Sequence, residues 1–172
     1  GPAGTFTEAA LRTVTAPGVE LVPYPSVATV LEAVRGGRLD AAMVPLENSV
    51  EGSVATTLDE LAGGDPLQVV REVLLPVSFV LLVRPGTDID AVRVVATHPH
   101  AEAQCRRWLR TRLPKADVVL TTSTAEAARA VSTGTYDAAV AAPVAAEHYR
   151  LDVLAQDLQD NDGAVTRFVL VT

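Results

Sequence analysis

Polar residues follow a short apolar run in the first third of the chain, and their types suit the binding of a small polar ligand. The run Asp40–Val44 predicts a buried strand, which Pro45 ends because proline donates no ladder hydrogen bond. The stretch V-P-L-E-N-S-V-E-G-S-V, over Val44–Val54, then presents four polar side chains: Glu47, Asn48, Ser49 and Glu51. We expect them in a loop at the carboxyl end of a strand, where open α/β sheets bind ligands. The alternative is an ordinary polar turn.

A second candidate for ligand binding lies at the start of the first predicted helix. Thr5 and Glu8 have the spacing of a capping box, which predicts that a helix begins after Thr5. The exposed backbone N–H groups of this first turn, beside the hydroxyls of Thr5 and Thr7, suit an anion. The alternative is a routine helix start without a ligand.

The last predicted strand, Val165–Val171, carries the third candidate. Because side chains alternate along a strand, Thr166 and Phe168 share one face and Arg167 lies on the other. An arginine that opens a strand after a loop is well placed for a bidentate pair with a carboxylate. The alternative is a solvated arginine on an edge strand.

The elements that position these residues are predicted to form a repeat. Each copy has a strand, a helix and a second strand, and the first strands are Val19–Val22 and Val118–Leu120. An offset of 97 residues relates the copies at five positions of identical residue type: Ser26, Gly37, Asp40, Ala41 and Ala42. Because the unit occurs only twice, we expect an α/β fold of two similar lobes with a cleft between them, a preferred place for a ligand. The first lobe is placed at residues 1–76 plus 164–172 and the second at residues 77–163.

Composition limits the classes of function. The 172 residues are 48% hydrophobic and 20% charged, which is typical of a soluble globular protein, and no apolar run has the length of a membrane span. A net charge of −7 argues against a nucleic-acid partner. A single cysteine, Cys105, and the absence of a leader-like segment favour the cytoplasm. The start at Gly1, without an initiator Met, indicates a trimmed piece of a longer protein.

No pattern in the sequence requires a metal or a cofactor. The three histidines, at positions 98, 100 and 148, lack the spacing of metal ligands, and no glycine-rich nucleotide fingerprint follows a strand. Cys105 falls in an amphipathic helical pattern with Trp108 and Leu109, which favours a buried, inert thiol over a nucleophile.

With these segments side by side, the sequence resembles the prephenate dehydratase family. The matching segments run through the chain in the family's order: Gly1–Ala10, Val44–Val54, His98-Pro99 with Ala103-Gln104-Cys105, and Asp160-Asn161 with Thr166-Arg167-Phe168. The Val44–Val54 block and the T-R-F triplet are highly specific together. The sequence departs from the family pattern in two places. His100 stands where the family often has Gln, and Ser78-Phe79 stand where many members have His.

The resemblance implies a catalytic domain of two α/β lobes, similar in layout to type-2 periplasmic binding proteins, with the active site in the cleft. It also implies a C-terminal regulatory ACT domain that binds phenylalanine, and a first strand before Gly1; both lie outside this sequence. The full-length protein is expected to be a homo-oligomer, either a dimer or a tetramer. No metal and no cofactor are implied.

The implied reaction converts prephenate, a small-molecule substrate, to phenylpyruvate, CO2 and water in phenylalanine biosynthesis. Since aromatisation drives the reaction, the protein must mainly position the ring, bind two carboxylates and assist the departing hydroxyl. Thr166 is predicted to assist that hydroxyl by donating a hydrogen bond or relaying a proton. Glu51 is the predicted proton source, with Glu47 as the alternative, provided that the carboxyl group is buried.

The substrate is predicted to bind through its carboxylates and its ring. Arg167 holds the pyruvyl carboxylate through a bidentate pair in this interpretation. The other predicted substrate-binding residues are Thr5, Phe6, Thr7, Asn48, Ser49, Phe168 and His98. Two alternatives stay open: a dehydratase that acts on arogenate, and a non-catalytic two-lobed module that only binds a small molecule.

Overall fold

The computed structural model describes residues 1–172 as two compact units, each with its own sheet. The first unit contains residues 1–2, 6–77 and 163–172, and the second contains residues 3–5 and 78–162. The predicted α/β class with two sheet-containing units is confirmed, whereas the cleft between them stays a prediction. No helix in the structure combines the length and apolar character that a membrane span needs.

Nine strands and six helices make up the two units. The strands are β1 (Ala42–Asn48), β2 (Gly52–Ser53), β3 (Val69–Pro76), β4 (Val80–Val83), β5 (Val94–Thr97), β6 (Asp117–Leu120), β7 (Ala138–Ala141), β8 (Asp152–Ala155) and β9 (Val165–Val171). The helices are α1 (Phe6–Arg12), α2 (Val27–Arg35), α3 (Ala55–Ala62), α4 (Pro99–Arg112), α5 (Thr124–Ser132) and α6 (Val144–Tyr149).

The sheet of the first unit has the order β2-β1-β9-β3, and all its pairings are antiparallel. In β1, Glu47 lies opposite Arg167 and Asn48 lies opposite Thr166. The prediction that Pro45 ends the strand and leaves Glu47 and Asn48 in a loop is therefore wrong. A register shift between Pro45 and Glu47 lets the chain pass the proline, which cannot donate to the ladder, and resume pairing beyond it.

Apolar clusters pack on both faces of this sheet, and they separate the residues of β9 as predicted. On one face, Phe168 joins Ala10 of α1 and Met43 of β1 in a buried cluster. On the other face, Val169 and Val171 join a cluster that contains the buried side of α2. The alternation of β9 is therefore confirmed, and Thr166 and Arg167 project from opposite faces.

The predicted strand at Val19–Val22 does not form. These residues have no ladder partner, and both valines are exposed. An extended segment becomes a strand only when a neighbour accepts and donates its backbone hydrogen bonds. Prolines at positions 17, 23 and 25, which lack an N–H group, surround this segment.

The second unit has a mixed sheet of order β6-β5-β7-β4-β8, in which β5 runs parallel to β6 and β7. Its core is rich in alanine, because α5 packs Ala127, Ala128 and Val131 against β4 and β7. Adding the 97-residue offset to the bounds of α2 gives the bounds of α5, so the helix of the predicted repeat is confirmed. The sequence interpretation missed α6 and β8, each of which is too short to show a clear period.

Candidate active site

The candidate site lies where β1 ends and β9 begins. The side-chain amide of Asn48 donates a hydrogen bond to the hydroxyl oxygen of Thr166, with 2.9 Å between Nδ2 and Oγ1. Thr166 is only 8% exposed. Because its oxygen already accepts a hydrogen bond from Asn48, the Thr166 hydroxyl can donate its own hydrogen bond to another group. The pair therefore forms a directed hydrogen-bond donor.

The turn after β1 is fastened from two directions. The side-chain oxygen of Asn48 accepts the N–H groups of Val50 and Glu51, at 2.8 and 3.2 Å, which fixes the turn as an Asx-type loop. Ser49 pairs with Val165 twice: its N–H donates to the Val165 carbonyl at 2.9 Å, and its hydroxyl accepts the Val165 N–H at 2.9 Å. Ser49, which directly follows β1, is thus tied to Val165, the residue before Thr166 in β9.

Arg167 lies on the opposite face of β9, between two carboxylates. Its Nε is 3.8 Å from Oε2 of Glu47 on β1 and 3.7 Å from Oε1 of Glu72 on β3. The three side chains are 43%, 49% and 51% exposed, respectively. Ion pairs between exposed side chains at these distances are weak, so a ligand that binds the guanidinium more strongly can displace the two carboxylates.

Two phenylalanines support the site from within the core. Phe168 is 2% exposed and packs with Met43 and Val73, and Phe6 of α1 covers the same cluster from its edge. Thr7 lies half-buried on α1. The structure therefore brings Phe168 next to Thr166 in the strand but places its ring in the core, where it shapes the site from behind.

The remaining predicted residues are either exposed or belong to the second unit. Glu51 is exposed, so the burial that its proposed role requires is not met in the structure itself. Thr5 belongs to the second unit, where the preceding Gly4 adopts a φ of +81°. A Cβ at Gly4 would lie 2.9 Å from the Tyr149 ring, and the Tyr149 hydroxyl donates to the Ala3 carbonyl at 3.1 Å. Glycine is therefore required in this turn.

His98 also belongs to the second unit, where it caps α4. Its Nδ1 accepts the N–H of His100 at 3.3 Å, as expected for a residue that precedes a helix with proline in its first turn. Whether Thr5 and His98 reach the ligand stays a prediction.

Asp160 has a structural role. It lies in one of the segments that resemble the family pattern, and the sequence alone indicated no role for it. Its carboxylate accepts the backbone N–H groups of Arg107 and Trp108 in the middle of α4, at 2.8 and 3.2 Å, and its own N–H donates to the Gln104 carbonyl. The segment before β9 is thereby attached to α4.

Cys105 is buried in α4, as predicted. Burial, with smaller contributions from Asp160 and Glu102, raises the pKa of its thiol to about 12, so the reactive thiolate is suppressed. The structure has no group of three or more His, Cys, Asp or Glu side chains that is placed to hold a metal ion.

Glu72 is the site residue that sequence reasoning missed. It lies on β3 opposite Val169, two positions from Leu74, which is the direct partner of Arg167. Residues two positions apart share a face of a strand, so Glu72 reaches Arg167 diagonally. This neighbourhood depends on the register of β3 against β9, for which the sequence holds no local signal.

The chain is similar to known proteins over almost its whole length. The prephenate dehydratase family matches residues 1–172. A curated relative from Amycolatopsis methanolica, named prephenate dehydratase, is 56% identical over 171 residues, covering 99% of this chain and 56% of the relative. The chain thus spans little more than half the length of the curated relative.

Two solved structures share the fold over the whole chain. The crystal structure of a prephenate dehydratase from Arthrobacter aurescens, in complex with L-Phe, has a TM-score of 0.90 and 49% identity, and 57% of that chain is covered. A structure described as GqqA, a novel type of quorum quenching acylase, has a TM-score of 0.85 and 33% identity, and 62% of that chain is covered. Since the family match extends from the first residue to the last, the chain belongs to the prephenate dehydratase family.

Proposed function

We propose that this chain carries the prephenate dehydratase activity of its family and converts prephenate to phenylpyruvate, CO2 and water. The observation that carries the proposal is the hydrogen bond from Asn48 to Thr166, which leaves the Thr166 hydroxyl as an oriented donor. The reaction needs such a donor, because hydroxide leaves a carbon only with a proton or a strong hydrogen bond on its oxygen. Family membership supports the substrate.

Thr166 is the proposed catalytic residue. Its hydroxyl does not ionise near neutral pH, so it donates a hydrogen bond to the C4 oxygen or relays a proton from water. Glu51 remains the proposed source of that proton, with Glu47 as the alternative, and a bound ligand would have to supply the burial that each now lacks. Asn48 and Ser49 add hydrogen-bonding capacity without negative charge, which suits a ligand with two carboxylates.

Arg167 is the proposed partner of the pyruvyl carboxylate. The C4 hydroxyl and the pyruvyl chain lie at opposite ends of the prephenate ring, so two different residues are proposed to serve them. Thr5, Thr7, Phe6 and His98 are proposed as further substrate-binding residues, and Phe168 shapes the site. The lobes at residues 1–76 plus 164–172 and 77–163 are proposed to act together as one catalytic domain.

A hydrolytic mechanism with a serine or threonine nucleophile has less support. Such a nucleophile needs an adjacent base, and neither Ser49 nor Thr166 is hydrogen-bonded to a histidine or a carboxylate. The acylase activity in the description of that relative is therefore not proposed for this chain.

We also propose that the full-length protein is a homo-oligomer in the cytoplasm. This proposal rests on the family resemblance and the cysteine usage.

The experiment that tests the proposal is turnover by the folded chain with prephenate, and with arogenate in parallel. We expect phenylpyruvate from prephenate, measured by its absorbance in alkali, and little phenylalanine from arogenate. Faster turnover of arogenate would reassign the substrate. If the folded chain binds prephenate in calorimetry but converts neither compound, a binding module replaces the enzyme.

A further inference from the structure

Two carboxylates hold the Arg167 guanidinium by charge without using its hydrogen-bond donors. Glu47 approaches from β1 and Glu72 from β3, and in both pairs the closest guanidinium atom is Nε. At 3.8 and 3.7 Å these contacts are ion pairs, longer than hydrogen bonds. The donors of the guanidinium therefore stay available to a ligand.

The arrangement spans three neighbouring strands. Glu47 is the direct cross-strand partner of Arg167, and Glu72 is the diagonal neighbour on the other side. A long arginine side chain on a strand has several rotamers of similar energy, and opposed negative charges on its two sides favour the few that stand between them. With fewer rotamers available beforehand, the Arg167 side chain loses less conformational entropy when it binds a ligand.

We infer that Glu72, together with Glu47, is a positioning residue that orients Arg167 toward a carboxylate of the substrate. The inference rests on the proposed function, because it assumes that Arg167 binds the pyruvyl carboxylate. Glu72 itself does not contact the substrate in this account. A ligand carboxylate that forms charge-assisted hydrogen bonds with the guanidinium outcompetes both ion pairs, since hydrogen-bonded geometry is the stronger one.

The experiment compares steady-state kinetics of the parent chain, Glu72→Ala, Glu72→Asp and Arg167→Ala with prephenate. We expect Glu72→Ala to raise KM about two- to fivefold, the range of an exposed ion pair, with kcat unchanged. Glu72→Asp, which keeps the charge, should recover part of this loss. Glu20→Ala is the matched control, because Glu20 is an exposed carboxylate of the same unit, and its KM should equal that of the parent.

A double variant shows whether Glu72 acts through Arg167. In the Arg167→Ala background, Glu72→Ala should change KM no further, because the residue that it orients is gone. Equal effects of Glu72→Ala in both backgrounds, or an unchanged KM in the single variant, would overturn the inference while leaving the proposed function intact. Absence of turnover in the folded parent would overturn the proposed function, and absence of prephenate binding as well would overturn the inference with it.

Discussion

The two copies of the internal repeat share a helix and the strand that follows it, but these two strands end differently. In the first copy, β1 buries its first three residues and then continues past Pro45 to polar residues at its end. In the second copy, β7 buries all four of its residues and stops, and the chain turns through Ala142 and Pro143 into α6. The helices before these strands, α2 and α5, have equivalent bounds.

The repeated helix and strand therefore do not by themselves create the site. The end of β1 is paired with β9, which supplies Thr166 and Arg167 opposite Asn48 and Glu47. The end of β7 is paired with β4, where Leu81 and Val80 lie opposite Val140 and Ala141. A partly buried polar side chain needs a hydrogen-bond partner, and Asn48 at the end of β1 has one in Thr166, whereas β7 ends in alanine.

The largest effect of a substitution in this comparison is expected at the end of β1. Asn48→Asp replaces the Nδ2 donor with an oxygen, so the Thr166 hydroxyl must donate to the new carboxylate and is lost to the substrate. We expect kcat to fall about 10²-fold, the usual cost of one transition-state donor. Asn161→Asp, the same change at an exposed loop position, is the control and should keep the parent kcat. A similar fall in both variants would count against the role of Asn48.

A smaller effect is expected on the other face of β9. Arg167→Ala should raise KM for prephenate about tenfold or more, since a charge-assisted hydrogen bond is lost. Arg167→Lys should recover only part of the affinity, because lysine lacks the planar fork. Arg71→Ala, at an exposed arginine of β3, controls for the change in net charge. An unchanged KM in Arg167→Ala would remove this residue from substrate binding.

The equivalence of α2 and α5 predicts matched losses of stability when their caps are removed. Ser26 and Ser123 each cap the helix of their copy by accepting a backbone N–H, at 3.2 and 3.0 Å. Alanine at either position should cost about 1 kcal/mol and lower Tm by about 2–4 °C, with kcat and KM unchanged. Thermal unfolding followed by circular dichroism measures both variants. A markedly larger loss at one cap would show that the copies differ in more than their strand ends.

The smallest effect concerns Cys105, which the mechanism does not use. The unfolded thiol loses its proton near its ordinary pKa of 9.0, whereas the folded thiol keeps it until the pKa of about 12. Above pH 9 the folded state therefore binds more protons, and stability should fall as pH rises. The slope should be shallower in Cys105→Ala, when urea unfolding is compared between pH 8 and about pH 10. Equal slopes would contradict the assigned pKa.

Local sequence signals predicted much of the scaffold but not the polar neighbourhood of the site. The bounds of β9 and the caps Ser26 and Ser123 are visible in alternation and capping patterns, and the structure confirms them. Pro45 misled the interpretation of β1, because a proline at a bulge is tolerated inside a strand. The contact of Glu72 with Arg167 depends on strand register, which tertiary packing determines.

The central claim is that the Thr166 hydroxyl donates a hydrogen bond to the departing oxygen of prephenate. The most direct test compares kcat for Thr166→Val, which keeps the shape and loses the hydroxyl, with kcat for Thr166→Ser, which keeps the hydroxyl. With Tm close to that of the parent in both variants, we expect kcat to fall about 10²- to 10³-fold for Val and less than about tenfold for Ser. A folded Thr166→Val variant that retains the parent kcat would contradict the account.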